Sequence, residues 1–310
     1  GSVVGPLLFL LYINDLPVCI AHSNVYHFAD DTNLLCIENT YKKLRKSLNR
    51  DLKFLHQWLL ANKISLNETK TEIIIFKKPN NKMNWNLKVK LNGHKIEPSE
   101  HIKYLGIYID KHMNGEAHCS KVLPKLQRAN GILAILRHYL PTKELLNIYH
   151  SIFSSHLTYA CQAWGQQRNK YFNKLVTQQN NAMRIITFSD FRSSADPLYR
   201  KNNILKITDH IYMSNCLLVH QWMNKKLPSP FNGFFSLKQS MYDYNTRGSS
   251  TLELFKPFNS SKKYGDNSIT SKCISDWNRL AAKHHGLNLT SLTETKLKQL
   301  IKVTAIQSYK

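Results

Sequence analysis

Asp30 and Asp31 stand side by side between two short apolar runs, Val25–Ala29 and Asn33–Ile37. Adjacent carboxylates at the tip of a hairpin repel each other unless a cation joins them. Mg²⁺ suits such a pair, because it takes carboxylate oxygens together with substrate phosphates. Two ions about 3.5–4 Å apart can align the attacking and leaving oxygens of a phosphoryl transfer. Taken alone, the pair favours an ordinary acidic turn, since aspartate is a common turn residue. His112, His118 and Cys119 also fall close together. Three potential ligands without a fourth read as a polar loop rather than a zinc site. None of the six cysteines forms a C-x-x-C pair, so scattered buried thiols of a reducing compartment are expected.

The elements that must position the two aspartates follow from hydrophobic spacing. Leu7–Ile13 reads as a buried helix stopped by Pro17. Val25–Ala29 and Asn33–Ile37 read as strands, with Asp30, Asp31 and Thr32 as a loop of hairpin length. From Thr40 to Asn62, Leu44, Leu48, Leu52, Leu55 and Leu59 recur at three- and four-residue steps and predict an amphipathic helix. Thr71–Phe76 reads as a buried strand, and Ile102–Ile109 as another. Leu87–Leu91 and His94–Ile96 flank Asn92-Gly93, a pair suited to a type I′ turn. After Asp110 the periodicity turns helical, over Ala117–Tyr139, Thr142–Ser154, Asn169–Phe188 and Thr208–Asn224. Leu227–Ser268 reads as loops with a few short strands, and Ile269–Ala282 and Ser291–Ala305 as closing helices.

The charge narrows the partner. Forty-three Lys and Arg against 20 Asp and Glu leave +23 on 310 residues, an excess that usually answers a polyanion. Nucleic acid comes first, because neutralising phosphates releases counterions, and an anionic membrane surface second. The most apolar stretch, Val3–Ile13, is far short of the roughly 20 residues a span requires. With no basic segment before it, it does not read as a signal peptide, and no membrane partner is expected.

Two strings carry a resemblance. GSVVGPLLFLLYINDLP, from Gly1 to Pro17, resembles palm motif B of reverse transcriptases from non-LTR (LINE-type, jockey-like) retrotransposons. FADD, from Phe28 to Asp31, resembles their motif C, in the matching order and spacing. Trp58-Leu59, Asn62–Asn67 and Lys70-Thr71 look like the motif D region, and Tyr104-Leu105-Gly106 like the passage from palm to thumb. Tyr159–Gly165 and Gln179–Arg184 resemble stretches common beyond such domains.

The resemblance implies an α+β fold. A partial polymerase palm of antiparallel sheet with helices would span residues 1–112. A mainly α-helical thumb would span 113–226, and a C-terminal region of unassigned role 227–310. It implies an RNA-directed DNA polymerase that extends a DNA primer on an RNA template from deoxynucleoside triphosphates. Asp30 and Asp31 would hold two Mg²⁺ ions that activate the primer hydroxyl and offset phosphate charge. Gly1, Ser2 and Gly5 would let the backbone approach the nascent base pair. Phe28 would pack at the base of the turn first and touch substrate second. Lys70 would lie near the leaving pyrophosphate or be a solvated surface lysine. Tyr104 and Gly106 would position the primer end or simply pack. Lys121, Lys125 and Arg128 fall on one face of the helix after residue 117 and would grip a nucleic-acid backbone. The chain starts inside motif B, so a fragment lacking the motif A aspartate and the fingers is expected, with little activity alone. Reverse transcription at a chromosomal target would require nuclear access. The competing readings are a non-catalytic nucleic-acid-binding remnant of a decayed element and, more weakly, an unrelated two-carboxylate nuclease.

Overall fold

A computed structural model describes residues 3–76, 87–167, 169–241, 252–259, 265–284 and 286–309. The fold is α+β, rich in helix, and divides into two compact units.

The first unit comprises residues 1–102 with 110–112. It opens with helix α1 (Val4–Ile13), then β1 (Ser23–Phe28) and β2 (Asp31–Cys36), paired antiparallel from Ser23↔Cys36 to Phe28↔Asp31. Helix α2 (Tyr41–Ala61) follows, capped by the Thr40 hydroxyl, which accepts from the Lys43 N–H at 3.3 Å. Strand β3 (Ile73–Ile74) pairs in parallel with β6 (Pro98–Ser99). Between them, β4 (Val89–Leu91) and β5 (His94–Ile96) form the expected hairpin, with φ +48° at Asn92 and +83° at Gly93. A hairpin of β7 (His101–Tyr104) and β8 (Ile107–Asp110) carries the chain into the second unit. The core lies where the leucine stripe of α2 (Leu52, Leu55, Leu59) meets Leu16, Leu87 and Val89.

Three expectations change here. The sheet is four separate two-stranded pieces among the described residues, because these strands are only two to six residues long. Ile102–Ile109 is a hairpin rather than one strand. Leu105 and Gly106 have φ +44° and +83° and so reverse the chain in two residues. Helix α1 is not buried: Leu7, Leu8, Leu10 and Leu11 are 47–67% exposed, and Ile13 alone of its residues is buried. Its apolar sequence runs all round the axis, the pattern of an enclosed helix, but no described element wraps it. Its end is tied down, since the Tyr12 hydroxyl donates to the Asn62 carbonyl at the close of α2.

The second unit comprises residues 103–109 and 113–310. Helix α3 (Glu116–Leu136) leads into α4 (Thr142–Ile148), a π-helical turn (Tyr149–Ser154) and α5 (Ser155–Thr158), one continuous rod. The rod buries Leu145, Tyr149, Phe153 and Leu157, spaced four apart. A strict four-residue repeat drifts around an α-helix of 3.6 residues per turn. A widened i→i+5 turn in its middle returns the stripe to the core. Short α6 (Cys161–Trp164), α7 (Lys170–Ile186) and α8 (Asp196–Lys201) complete one core with α3. Helices α9 (Ile207–Met223), α10 (Ile269–Lys283) and α11 (Glu294–Gln307) surround another centred on Trp277, Val219 and Leu297. Helices α6 and α8 escape a reading by periodicity because each is under two turns long. Among the described residues of 227–268, short 3-10 turns and the bridge Leu237↔Leu254 replace the expected short strands.

His118 on α3 gives this unit an acid sensitivity. It is 3% exposed, beside Trp164, and its Nδ1 accepts the Tyr108 N–H at 3.3 Å. Burial, with Lys125 adding to it, pushes its pKa down to about 4. An unfolded histidine titrates near 6.5, so between those values the unfolded chain holds the extra proton and stability falls as pH drops. Melting temperature should therefore decline from pH 7 to pH 5, and His118→Gln should flatten that decline. Equal slopes in both proteins would remove His118 as its source.

Candidate active site

The ladder of β1 and β2 closes at Phe28↔Asp31, leaving a loop of only Ala29 and Asp30. The expected three-residue loop is thus one residue shorter, and Asp31 is the first residue of β2. Two-residue loops favour positive φ at their first position, and Ala29 supplies it at +53°. Both aspartates are exposed, on neighbouring positions of the tip. Across the next rung, His27 Nδ1 and Thr32 Oγ1 lie 3.1 Å apart, and burial holds the His27 pKa below its usual value.

Phe28 is 61% exposed, which corrects the expectation that it packs first. The alternation of β1 explains it: Ser23, Val25 and His27 are half-buried, whereas Asn24, Tyr26 and Phe28 face out. An aromatic ring and two carboxylates therefore share one open surface.

The hairpin is anchored from below by a buried acid. Asp51 of α2 has no exposed surface, and its carboxylate accepts from the Ala21 and His22 N–H groups at 3.2–3.3 Å and from the Ser23 hydroxyl at 2.6 Å. These three residues lead directly into β1, so Asp51 sets the height and angle at which the strand rises. Sequence reasoning passed over it, although a signal was present. Asp51 falls within the leucine stripe of α2, three residues after Leu48 and four before Leu55, where an acid is out of place unless it has partners.

The remaining candidates fall into separate groups. Gly5 lies in the first turn of α1, and Gly1 and Ser2 lie outside the described residues. Lys70 ends the Glu68–Lys70 turn, with its side chain exposed. That turn is braced by Glu68, which accepts from Asn92 Nδ2 at 2.8 Å and pairs with His94 at 3.3 Å. In the second unit, half-buried Tyr104 ends β7 and exposed Gly106 is the second residue of the β7–β8 tip. The Tyr159 hydroxyl donates to the Leu105 carbonyl at 2.8 Å, and a Cβ at Gly106 would meet the Tyr159 ring at 3.2 Å. Glycine is thus required there twice, by its φ and by the ring. Lys121, Lys125 and Arg128 are all exposed on α3, opposite buried Val122, Leu126 and Ala129. Lys121 Nζ lies 5.7 Å from the Tyr108 ring.

Among the described residues no three His, Cys, Asp or Glu side chains form a metal-holding group, and none of their helices is long and apolar enough to cross a membrane. All six cysteines are free thiols. Asp30 and Asp31 can offer carboxylate oxygens to a cation from one side, leaving its other positions to a further carboxylate, water or phosphate.

Residues 1–109 match the family described as reverse transcriptase (RNA-dependent DNA polymerase). Over 222 residues the chain is 25% identical to the RNA-directed DNA polymerase from mobile element jockey of Drosophila melanogaster, covering 68% of this chain and 24% of that protein. Similarity to the same organism's probable RNA-directed DNA polymerases is comparable. It is 24% over 226 residues for transposon X-element and 26% over 236 for transposon BS, with the same shares covered. The chain thus spans about a quarter of the length of these curated relatives. No solved structure matches it.

Proposed function

We propose that this chain, whose residues 1–109 match the reverse transcriptase family, is the motif C-bearing part of a non-LTR retrotransposon RNA-directed DNA polymerase. The observation that carries the reading is the β1–β2 tip, where two exposed aspartates occupy the last position of the two-residue loop and the first position of β2. Asp30 and Asp31 would be the residues of this chain that hold the two Mg²⁺ ions of the complete enzyme. Bound there, the metal supplies charge stabilisation to the developing phosphoryl transition state and lowers the pKa of the attacking hydroxyl. The chain's own residues do the positioning. Asp51 fixes the strand that carries the tip, Phe28 offers an exposed ring beside it, and Gly5 keeps α1 free of a side chain at its start. Tyr104 and Gly106 belong to a hairpin that steadies the primer end, and Lys70 serves the leaving pyrophosphate. Residues 1–112 form the palm portion and 113–226 a thumb that holds an RNA–DNA duplex through its phosphates, followed by 227–310. Access to the nucleus goes with reverse transcription at a chromosomal target.

Among the described residues no third carboxylate joins Asp30 and Asp31, and this supports the expectation that the chain alone extends no primer. Primer extension on an RNA template with Mg²⁺ tests the whole reading. The 310-residue chain should give no product, whereas a polypeptide of the relatives' full length that contains it should give template-dependent DNA. Failure of the longer polypeptide would favour a non-catalytic nucleic-acid-binding remnant, for which the +23 charge alone would account.

The thumb reading has its own salt test. Lys121→Ala, Lys125→Ala and Arg128→Ala together should lower RNA–DNA affinity and reduce the slope of log affinity against log salt by about 2–3. An unchanged slope would remove α3 from the interface.

A further inference from the structure

Helices α3 and α7 run side by side in the same direction. Glu116 pairs with Lys170 at their starts, Asn130 Nδ2 donates to the Gln178 carbonyl at 3.0 Å midway, and Arg137 meets Phe188 at their ends. Their shared C-terminal end exposes several large apolar side chains. Tyr139 is 79% exposed, Phe191 75%, Ile135 65% and Phe188 53%. Cations are interleaved. The Arg137 guanidinium lies 3.9 Å from the Phe188 ring centre, and its Nε finds no partner among the described residues. Arg184 lies 5.9 Å from Phe191, His138 stands edge-on to Phe188, and Arg192 is exposed in the following turn. Asp190 is the acid of that turn, and its carboxylate accepts the Arg192 N–H at 2.7 Å.

Phe188 is placed at a cost. It closes α7 in a Schellman arrangement, with Ser189 N–H donating to the Arg184 carbonyl at 3.0 Å and φ +54° at Phe188 itself. Glycine ordinarily fills that position. A bulky ring held there, and then half left in water, gains little from burial.

We infer that this end of α3 and α7 is a platform for single-stranded nucleic acid, with bases stacked on Tyr139, Phe188 and Phe191 and phosphates met by Arg137 and Arg192. Exposed aromatic faces interleaved with cations suit this ligand, since every base has a π-face and every linkage a negative charge. The strand is distinct from the duplex assigned to Lys121, Lys125 and Arg128, and the inference rests on the nucleic-acid reading of this unit.

The test is an anisotropy titration of the 310-residue chain with oligodeoxythymidine of about a dozen nucleotides, against an abasic strand of equal length. The base-bearing strand should bind about tenfold more tightly. Tyr139→Ala and Phe188→Gly should each remove most of that advantage and leave the abasic strand unaffected. Phe188→Gly should keep or raise the melting temperature, because glycine suits the left-handed position. If it melts lower, Tyr139→Ala decides alone, its ring being almost wholly in water. Equal affinity for both strands, or a base preference that survives Tyr139→Ala, overturns the platform, and a protein partner would then suit the surface better. Binding that depends on Lys121, Lys125 and Arg128 but not on Tyr139 sinks the platform alone. Absence of binding to any nucleic acid sinks the reading beneath it as well.

Discussion

Asp30→Ala or Asp31→Ala, placed in a polypeptide of the relatives' full length, should cut RNA-templated primer extension by at least about a thousandfold. Metal ions at a transferring phosphoryl group supply several kcal/mol of transition-state stabilisation, and each 1.36 kcal/mol is a factor of ten in rate. The fold should be indifferent to the change. Both side chains are exposed, and Asp31 holds its ladder position through the backbone. Exposed substitutions of this kind stay within about 0.5 kcal/mol, and relief of carboxylate repulsion could even add slightly to stability. Loss of extension with an unchanged melting temperature is therefore the expected pair of results. Extension within tenfold of the parent would place the metal ions elsewhere.

Asp51→Ala should have the opposite signature, with a large loss of stability at its origin. The substitution strips partners from the Ala21 and His22 N–H groups and the Ser23 hydroxyl, and leaves a gap beneath β1. Leaving donors without their buried acceptor typically costs about 1–3 kcal/mol, a sizeable share of the roughly 5–15 kcal/mol that holds a domain together. Asp51→Asn should cost less, because one oxygen remains to accept while the new amide faces other donors. Urea denaturation should report the order parent, Asn, Ala. Hydrogen exchange should find protection lost first along β1 and β2. If β1 stays protected in the Ala protein, Asp51 does not seat the hairpin.

The place of the two aspartates at a hairpin tip was legible because the apolar runs on either side of them read as strands. The long helices were legible because 3.6-residue periodicity accumulates over five or six turns, as along α2 and α3. Short-range detail was not. The loop at Ala29-Asp30 is one residue tighter than its polar residues suggest, because alanine accepts a positive φ there. The Leu105-Gly106 reversal hides in an apolar run, since leucine at φ +44° carries no turn signature. The all-round apolar face of α1 was read as buried, because sequence reports what a helix prefers to contact rather than whether the contact is made. Asp51 and Tyr159 act through partners 28–30 and 54 residues away, separations that no local pattern encodes.

The widened turn at Tyr149–Ser154 reaches beyond the stripe it aligns. One residue more than a regular α-helix would hold is accommodated there, so the same residues wound without the widening would rotate everything after them by about 100°. Tyr159 follows immediately, and its hydroxyl would swing away from the Leu105 carbonyl that it clasps. The widened turn of one helix thus acts as the phase adjustment for a hairpin tip more than fifty residues earlier, and a regular α-helix of the same length would uncouple the two without touching either.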